Sequence, residues 1–82
     1  MEHYVIVNEY ATDYETSITI CGVEHTLDGA KRIFNYYRAD EKEWAVNHRY
    51  EIYEDDDTAF DAGEGESGDY MANHTRIYIL RV

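Results

Sequence analysis

Four stretches of the chain have the apolar pattern of β-strands. Residues 3–10 are β-branched and aromatic, and residues 14–21 alternate, with Thr16, Ile18 and Ile20 on one side. This alternation predicts a strand with one buried face, joined to the first strand in a hairpin. Residues 48–54 alternate again, and residues 74–82 are apolar on both sides. The last stretch therefore predicts a central strand that is covered on both faces.

One helix is predicted between the second and third strands. Leu27, Ala30, Phe34 and Tyr37 follow one another at steps of three, four and three, which is the spacing of a helical apolar stripe. Thr26 is suited to the N-cap position, where its hydroxyl accepts a backbone N–H. We place the helix at about residues 27–38, with a possible extension toward residue 44.

These elements predict an α+β fold: a small antiparallel sheet of about four strands with one packed helix, in the order β-β-α-β-β. A chain of 82 residues has room for a single domain, residues 1–82. Residues 54–69 remain as an acidic, glycine-containing loop. Eight of these sixteen residues are acidic and none is basic. Loops of this length are uncommon in small domains and are usually functional or disordered.

The charge of the chain excludes some classes of binding partner. Seven Lys and Arg against 18 Asp and Glu give a formal net charge of −11. Nucleic acid and anionic membrane surfaces repel such a chain, so neither is an expected direct partner. A basic protein surface is the expected one. The longest apolar runs have four residues and the start resembles no signal peptide, so we expect a soluble cytoplasmic protein.

No motif for a metal, cofactor or catalytic centre stands out. A calcium loop starting at Asp55 has Ala59 and Phe60 where a ligand and a glycine are required. Cys21 and His25 are separated by three residues, without a second ligand pair of the spacing that zinc sites use. No signature of a thiol nucleophile surrounds Cys21, which suits a packed strand position. We therefore expect no catalytic residue, no metal and no cofactor.

The acidic segment itself has two interpretations. Carboxylates on one face of a strand repeat at about 6.6 Å, a spacing on the scale of a phosphate-binding groove. Arg and Lys in such a groove pair with carboxylates much as they do with phosphates. Under this hypothesis the partner-binding residues are Tyr53, Glu54, Asp55, Asp56, Asp57, Phe60, Asp61, Glu64, Glu66 and Asp69. The alternative is a solvated charged loop that keeps the protein soluble.

Phe60 is the expected aromatic anchor of this surface. It is an apolar ring within a polar segment, with no evident core to join. Aromatic side chains are frequent hot spots of protein interfaces. Tyr53 borders the same segment and can also serve as the end of a strand.

In size, acidity and lack of catalytic motifs, the whole chain resembles small inhibitors carried by bacteriophages and mobile elements. These are anti-CRISPR proteins, anti-restriction proteins and inhibitors of uracil-DNA glycosylase. The resemblance assigns no role to any residue. It implies a non-enzymatic inhibitor that occupies a basic nucleic-acid-binding surface of a host defence protein, with a CRISPR effector as the first candidate.

A second function class remains open. A small antiparallel sheet with an exposed face or a free edge can form a homodimer or add a strand from another protein. In that case the chain is a protein–protein interaction module, and the acidic loop serves solubility alone.

Overall fold

The computed structural model describes residues 2–12, 15–64 and 73–82. It confirms an α+β fold, in which one helix packs on a five-stranded antiparallel sheet. The elements are β1 (Tyr4–Ala11), β2 (Thr16–Glu24), α1 (Leu27–Asn47), β3 (Glu51–Asp55), β4 (Ala59–Gly63) and β5 (His74–Arg81). The order across the sheet is β2-β1-β5-β4-β3. The structure thus has five strands where four were expected, and the additional strand is β4.

β5 occupies the centre of the sheet, as its apolar pattern predicts. It pairs with β1 on one side and with β4 on the other. Thr75 and Ile77 point toward the helix and are almost fully buried. On the opposite face, Leu80 is 46% exposed, so this face is only partly covered. We call the face of the sheet away from α1 the open face.

The helix begins where expected and continues further. Thr26 caps it, and its hydroxyl accepts the backbone N–H of Gly29 at 3.1 Å. The helix runs to Asn47, beyond the expected end at residue 38, because Trp44 and Ala45 extend the apolar stripe onto the core. Residues 48–50, expected in the third strand, instead end the helix.

The C-terminal end of α1 forms a Schellman motif. The N–H of Tyr50 donates to the carbonyl of Ala45 at 2.8 Å, and the N–H of Arg49 donates to Val46 at 3.1 Å. Arg49 has φ of 60°, the left-handed position that glycine usually occupies in this motif. The Tyr50 ring then packs edge-on against Trp44, with the ring centroids 4.9 Å apart. This turn directs the chain from the helix back into β3.

The core lies between α1 and one face of the sheet. Its buried residues are Ile6, Ala30, Phe34, Ala45, Tyr50, Phe60, Ala62 and Ile77. Two predictions about side-chain burial are wrong at this point. Phe60 is 1% exposed and belongs to this core, whereas Ile18 and Ile20 are 63% and 56% exposed. Their strand, β2, lies at the edge of the sheet and turns both side chains to the open face.

The predicted acidic loop 54–69 is wrong in its first part. Residues 51–55 and 59–63 form the antiparallel pair β3 and β4, and only residues 56–58 connect them. β4 forms because Phe60 and Ala62 alternate with Asp61, so that the apolar pair faces the helix. The high charge of the segment conceals this short alternation. The part of the predicted loop after residue 64 lies outside the described residues.

Candidate protein-binding surface

The acidic hairpin formed by β3, β4 and residues 56–58 is the first candidate surface. Asp56 builds its turn: its Oδ1 accepts the backbone N–H groups of Thr58 and Ala59, each at 2.9 Å. These two hydrogen bonds, that of Thr58 first, lower the pKa of the Asp56 carboxyl. Asp56 is therefore a structural residue of the turn, in the manner of an Asx turn.

Two further aspartates hold the acidic hairpin against the helix. Asp55 accepts hydrogen bonds from Arg38 Nε at 2.8 Å and from Lys42 Nζ at 2.7 Å. Asp57 lies 2.9 Å from Lys31 Nζ. The three cations are on α1, so the pairs connect one edge of the sheet to the helix. Part of the charge that the sequence offers to a partner is thus neutralised within the protein.

The pairing of Asp55 predicts a specific dependence of stability on pH. The hydrogen bond from Lys42 is the main cause that lowers the pKa of Asp55. A carboxyl group whose pKa is lower in the folded state stabilises that state when the pH is above the ordinary carboxyl pKa. This stabilisation is lost as the pH falls below about 4. We expect Asp55→Asn to cost about 1 kcal/mol or less at pH 7, because the pair is partly solvated.

Urea unfolding between pH 2 and 7 measures this effect. The stability difference between the wild type and Asp55→Asn is expected to shrink as the pH falls below 4. Glu15→Asn serves as a control at an exposed carboxylate away from the hairpin. A difference for Asp55→Asn that stays constant down to pH 2 would contradict the assignment.

A charged network crosses the open face of the sheet at Glu9, Arg76, Asp61 and Tyr78. Arg76 lies 3.4 Å from Glu9 and 3.7 Å from Asp61, measured between nitrogen and oxygen. The Tyr78 hydroxyl donates to Glu9 at 2.9 Å. Burial raises the pKa of Asp61, although the charge of Arg76 acts in the opposite direction. Asp61 therefore belongs to a partly buried network rather than to a free acidic surface.

Two strand residues of the acidic hairpin, and Glu64 directly after it, carry exposed carboxylates. Glu51, Glu54 and Glu64 are exposed, and no ion pair joins them to another described residue. Glu51 was not among the predicted contacts, although it stands in the same strand as Glu54. Five of the seven Lys and Arg pair with carboxylates elsewhere within the described residues, at Lys31, Arg38, Lys42, Arg76 and Arg81.

The other predicted contact residues have separate outcomes. Phe60 is buried and cannot be an exposed anchor, which corrects that expectation. Tyr53 is half-buried, and its hydroxyl donates to the carbonyl oxygen of Glu64 at 3.4 Å. Glu66 and Asp69 lie outside the described residues.

A groove between α1 and the sheet is a feature that sequence reasoning missed. It has a volume of about 410 Å³ and is lined by Asn8, Tyr10, Asp40, Glu41, Trp44 and Thr75. Glu41 accepts hydrogen bonds from Asn8 at 3.0 Å and from Thr75 at 2.8 Å, so its carboxylate is held by the sheet. The sequence signal for this groove is weak. It consists of Asn8 in β1 and Thr75 in β5, two polar residues at helix-facing positions of largely apolar strands.

The described residues contain no group of three or more His, Cys, Asp or Glu side chains placed to hold a metal ion. Burial, with a smaller contribution from Glu41, raises the pKa of the Cys21 thiol. A raised thiol pKa disfavours the thiolate that a nucleophile needs. His25 packs against His3 with the ring centroids 5.0 Å apart.

Comparisons with protein families, with curated proteins and with solved structures gave no match. Among the described residues, no helix combines the length and apolar character needed to cross a membrane.

Proposed function

We propose that this chain is a non-enzymatic inhibitor that binds a basic nucleic-acid-binding surface of another protein. The target class is a host defence protein, with a CRISPR effector as the first candidate. The observation that carries the proposal is the acidic hairpin, which presents exposed carboxylates on an ordered strand at one edge of the sheet. An ordered array loses less conformational entropy on binding than a flexible loop does.

The exposed edge of β3 is the proposed contact surface. Glu51 and Glu54 lie opposite Gly63 and Asp61 of the open face, and an irregularity in the register between Ile52 and Glu54 brings both to the same side although they are three residues apart. Their β4 partners are two residues apart and therefore repeat at about 6.6 Å, which is on the scale of a phosphate-binding groove. Arg and Lys of a partner would pair with these carboxylates as they pair with phosphates.

The internal ion pairs decide which carboxylates are offered to the partner. Asp55 and Asp57 already have cationic partners, and Asp56 holds the turn. Replacing these three aspartates would disturb the acidic hairpin as well as its charge. Glu51 and Glu54 are the better positions for a test, because they are exposed and no ion pair joins them to another described residue.

The test compares two variants that remove the same amount of charge. Glu51→Gln/Glu54→Gln alters the proposed surface, and Glu15→Gln/Glu43→Gln alters exposed carboxylates elsewhere. The tagged wild type is first used to recover its target from bacterial lysate at low and high salt, with and without competing DNA. We expect a nucleic-acid-binding protein that DNA displaces and that high salt releases.

Binding of that target is then measured for both variants. We expect the Glu51→Gln/Glu54→Gln variant to bind about tenfold or more weakly, mainly through slower association, whereas the control variant binds nearly as the wild type does. Equal affinities of the two variants would contradict the proposed surface. Recovery of a partner that is indifferent to DNA and salt would contradict the proposed function.

A further inference from the structure

The core-facing stripe of α1 contains one carboxylate. Ala30, Phe34, Tyr37 and Trp44 follow one another along this stripe, and Glu41 stands at the step between Tyr37 and Trp44. Glu41 is half-buried there. Burying a charged group costs free energy unless it is hydrogen-bonded and paired, so an apolar residue is the ordinary choice at such a position. Departures of this kind from the local pattern are expected at functional sites.

The sheet meets Glu41 with two polar side chains. Asn8 Nδ2 donates to one carboxylate oxygen at 3.0 Å, and Thr75 Oγ1 donates to the other at 2.8 Å. Three residues of β1, β5 and α1 thus depart from the apolar pattern at the same place. A carboxylate oxygen has two lone pairs, so each oxygen of Glu41 can accept one more hydrogen bond. The carboxylate is held in one orientation with this capacity unused by the described residues.

No cation of the described residues pairs with the acidic groups of this groove. Lys31, Arg38 and Lys42 of the same helix bind the acidic hairpin on the other side of α1. None of the ion pairs between described residues includes Glu41 or Asp40. Asp40 also lines the groove and is exposed. The complement of these two carboxylates is a cation from outside the described part of the chain.

Two aromatic rings border the same groove. Trp44 and Tyr10 line it, and their rings meet edge to face with the centroids 6.0 Å apart. His48 stacks on Trp44 with a centroid distance of 4.0 Å, which helps to hold the indole ring in place. A guanidinium group is planar, stacks on aromatic rings and binds a carboxylate through two parallel N–H donors. An ammonium group is a strongly hydrated point charge and offers neither advantage.

We propose that the groove between α1 and the sheet binds a guanidinium group, supplied by an arginine side chain of a partner protein. Two of its N–H groups donate to the free lone pairs of Glu41, Asp40 adds a second negative charge, and the aromatic rings border the cation. The groove volume of about 410 Å³ lies in the range of sites that bind small groups. The net charge of −11 attracts a basic protein to the surface from which this side chain enters.

This groove is separate from the contact surface proposed above. It lies where α1 faces β1 and β5, whereas Glu51 and Glu54 are on β3, at the edge of the sheet. The inference therefore does not depend on the proposed function, and each can fail without the other.

The wild type is titrated first with three capped tripeptides, Gly-Arg-Gly, Gly-Lys-Gly and Gly-citrulline-Gly, at constant ionic strength. Trp44 is the only tryptophan of the chain, so its fluorescence and the NMR signal of its indole N–H report on the groove. We expect saturable binding of the arginine peptide with a dissociation constant of about 1–10 mM, since the probe is small. We expect binding of the lysine peptide to be weaker by about threefold or more, and no saturable binding of the uncharged citrulline peptide.

Three variants of equal charge then test the carboxylates. Glu41→Gln keeps a hydrogen-bonding group of the same size, Asp40→Asn alters an exposed residue of the groove, and Glu43→Gln alters an exposed residue of the same helix that does not line it. Each changes the formal charge from −11 to −10. We expect the arginine peptide to bind about tenfold more weakly to Glu41→Gln and about threefold more weakly to Asp40→Asn. Glu43→Gln should bind it as the wild type does.

Several results would overturn this assignment. One is a Trp44 signal that shows no saturation with the arginine peptide up to about 50 mM. Another is equal binding of the citrulline or lysine peptide, because the groove would then not recognise guanidinium. A third is unchanged affinity in Asp40→Asn together with either unchanged affinity or loss of folding in Glu41→Gln, with folding measured by circular dichroism. Binding of free guanidinium chloride without binding of the arginine peptide would exclude a protein side chain as its source.

Discussion

Phe60→Ala is expected to lower the free energy of unfolding by about 3–5 kcal/mol, the usual cost of removing a buried phenyl ring. The Phe60 side chain is 1% exposed and lies in the core formed by α1 and the sheet. A domain of 82 residues typically has a total stability of about 4–12 kcal/mol. The variant should therefore lose a large share of its stability and unfold at a clearly lower urea concentration than the wild type does.

Urea unfolding followed by circular dichroism measures this effect. Phe60→Leu is the matched variant, because it retains an apolar side chain of similar volume and is expected to cost much less than Phe60→Ala. The opposite result would be a Phe60→Ala variant as stable as the wild type that has lost only partner binding. That result would restore the exposed aromatic anchor that the sequence pattern predicts.

Gly63→Ala is expected to destabilise the protein by about 1–3 kcal/mol through crowding within the sheet. A Cβ atom at Gly63 would lie 2.8 Å from Cβ of His74 and 2.9 Å from the carbonyl oxygen of Asn73. The second of these atoms belongs to the backbone of the strand region that pairs with β4, so neither neighbour can simply rotate away. The sheet itself would have to shift.

Gly29→Ala is the control for this substitution. Its Cβ would lie 3.1 Å from side-chain oxygens of Glu24 and Thr26, which are not backbone atoms and need to shift by only a few tenths of an ångström. Alanine is also favoured over glycine in a helix by about 1 kcal/mol. We expect Gly29→Ala to change the stability by less than about 1 kcal/mol in thermal or urea unfolding. A Gly63→Ala variant that is equally neutral would contradict the close packing of Gly63 against Asn73 and His74.

The position of Phe60 illustrates how strongly local composition can mislead. The surrounding acidic residues indicate a solvated loop, because charge is far more frequent in loops than in buried strands. The alternation of Phe60, Asp61 and Ala62 covers only three residues, which is too short to outweigh that signal. Burial of the Phe60 ring was decided by α1, which offers an apolar stripe above β4.

The opposite error occurred at Ile18 and Ile20. Their alternation with Ser17 and Thr19 correctly predicts a strand, and its pairing with β1 confirms the hairpin. The pattern also predicts that the isoleucines are buried, but they lie on the open face at an edge. Alternation shows that two faces differ, whereas the face that the single helix covers depends on how the hairpin is placed in the sheet.

The candidate surface also combines properties that the sequence predicts with properties that only the structure shows. The sequence alone indicates an acidic surface and the types of residue that form it. The structure shows that Asp55 and Asp57 pair with helix cations and that Asp56 holds a turn. These contacts join residues that are far apart in the chain, so no local sequence spacing predicts them. Glu51 and Glu54 emerge as the accessible carboxylates only after these pairs are known.

By itself, the sequence determined the α+β class, the helix with its Thr26 cap, the first hairpin and the central position of the last strand. These properties follow from periodicity and capping, which act between residues close in the chain. The tertiary structure alone decided the fifth strand, the burial of Phe60, the pairing of Asp55 and Asp57 with helix cations and the position of β2 at the sheet edge. These depend on which elements become neighbours in space, because burial and charge pairing are properties of the packed sheet and helix together.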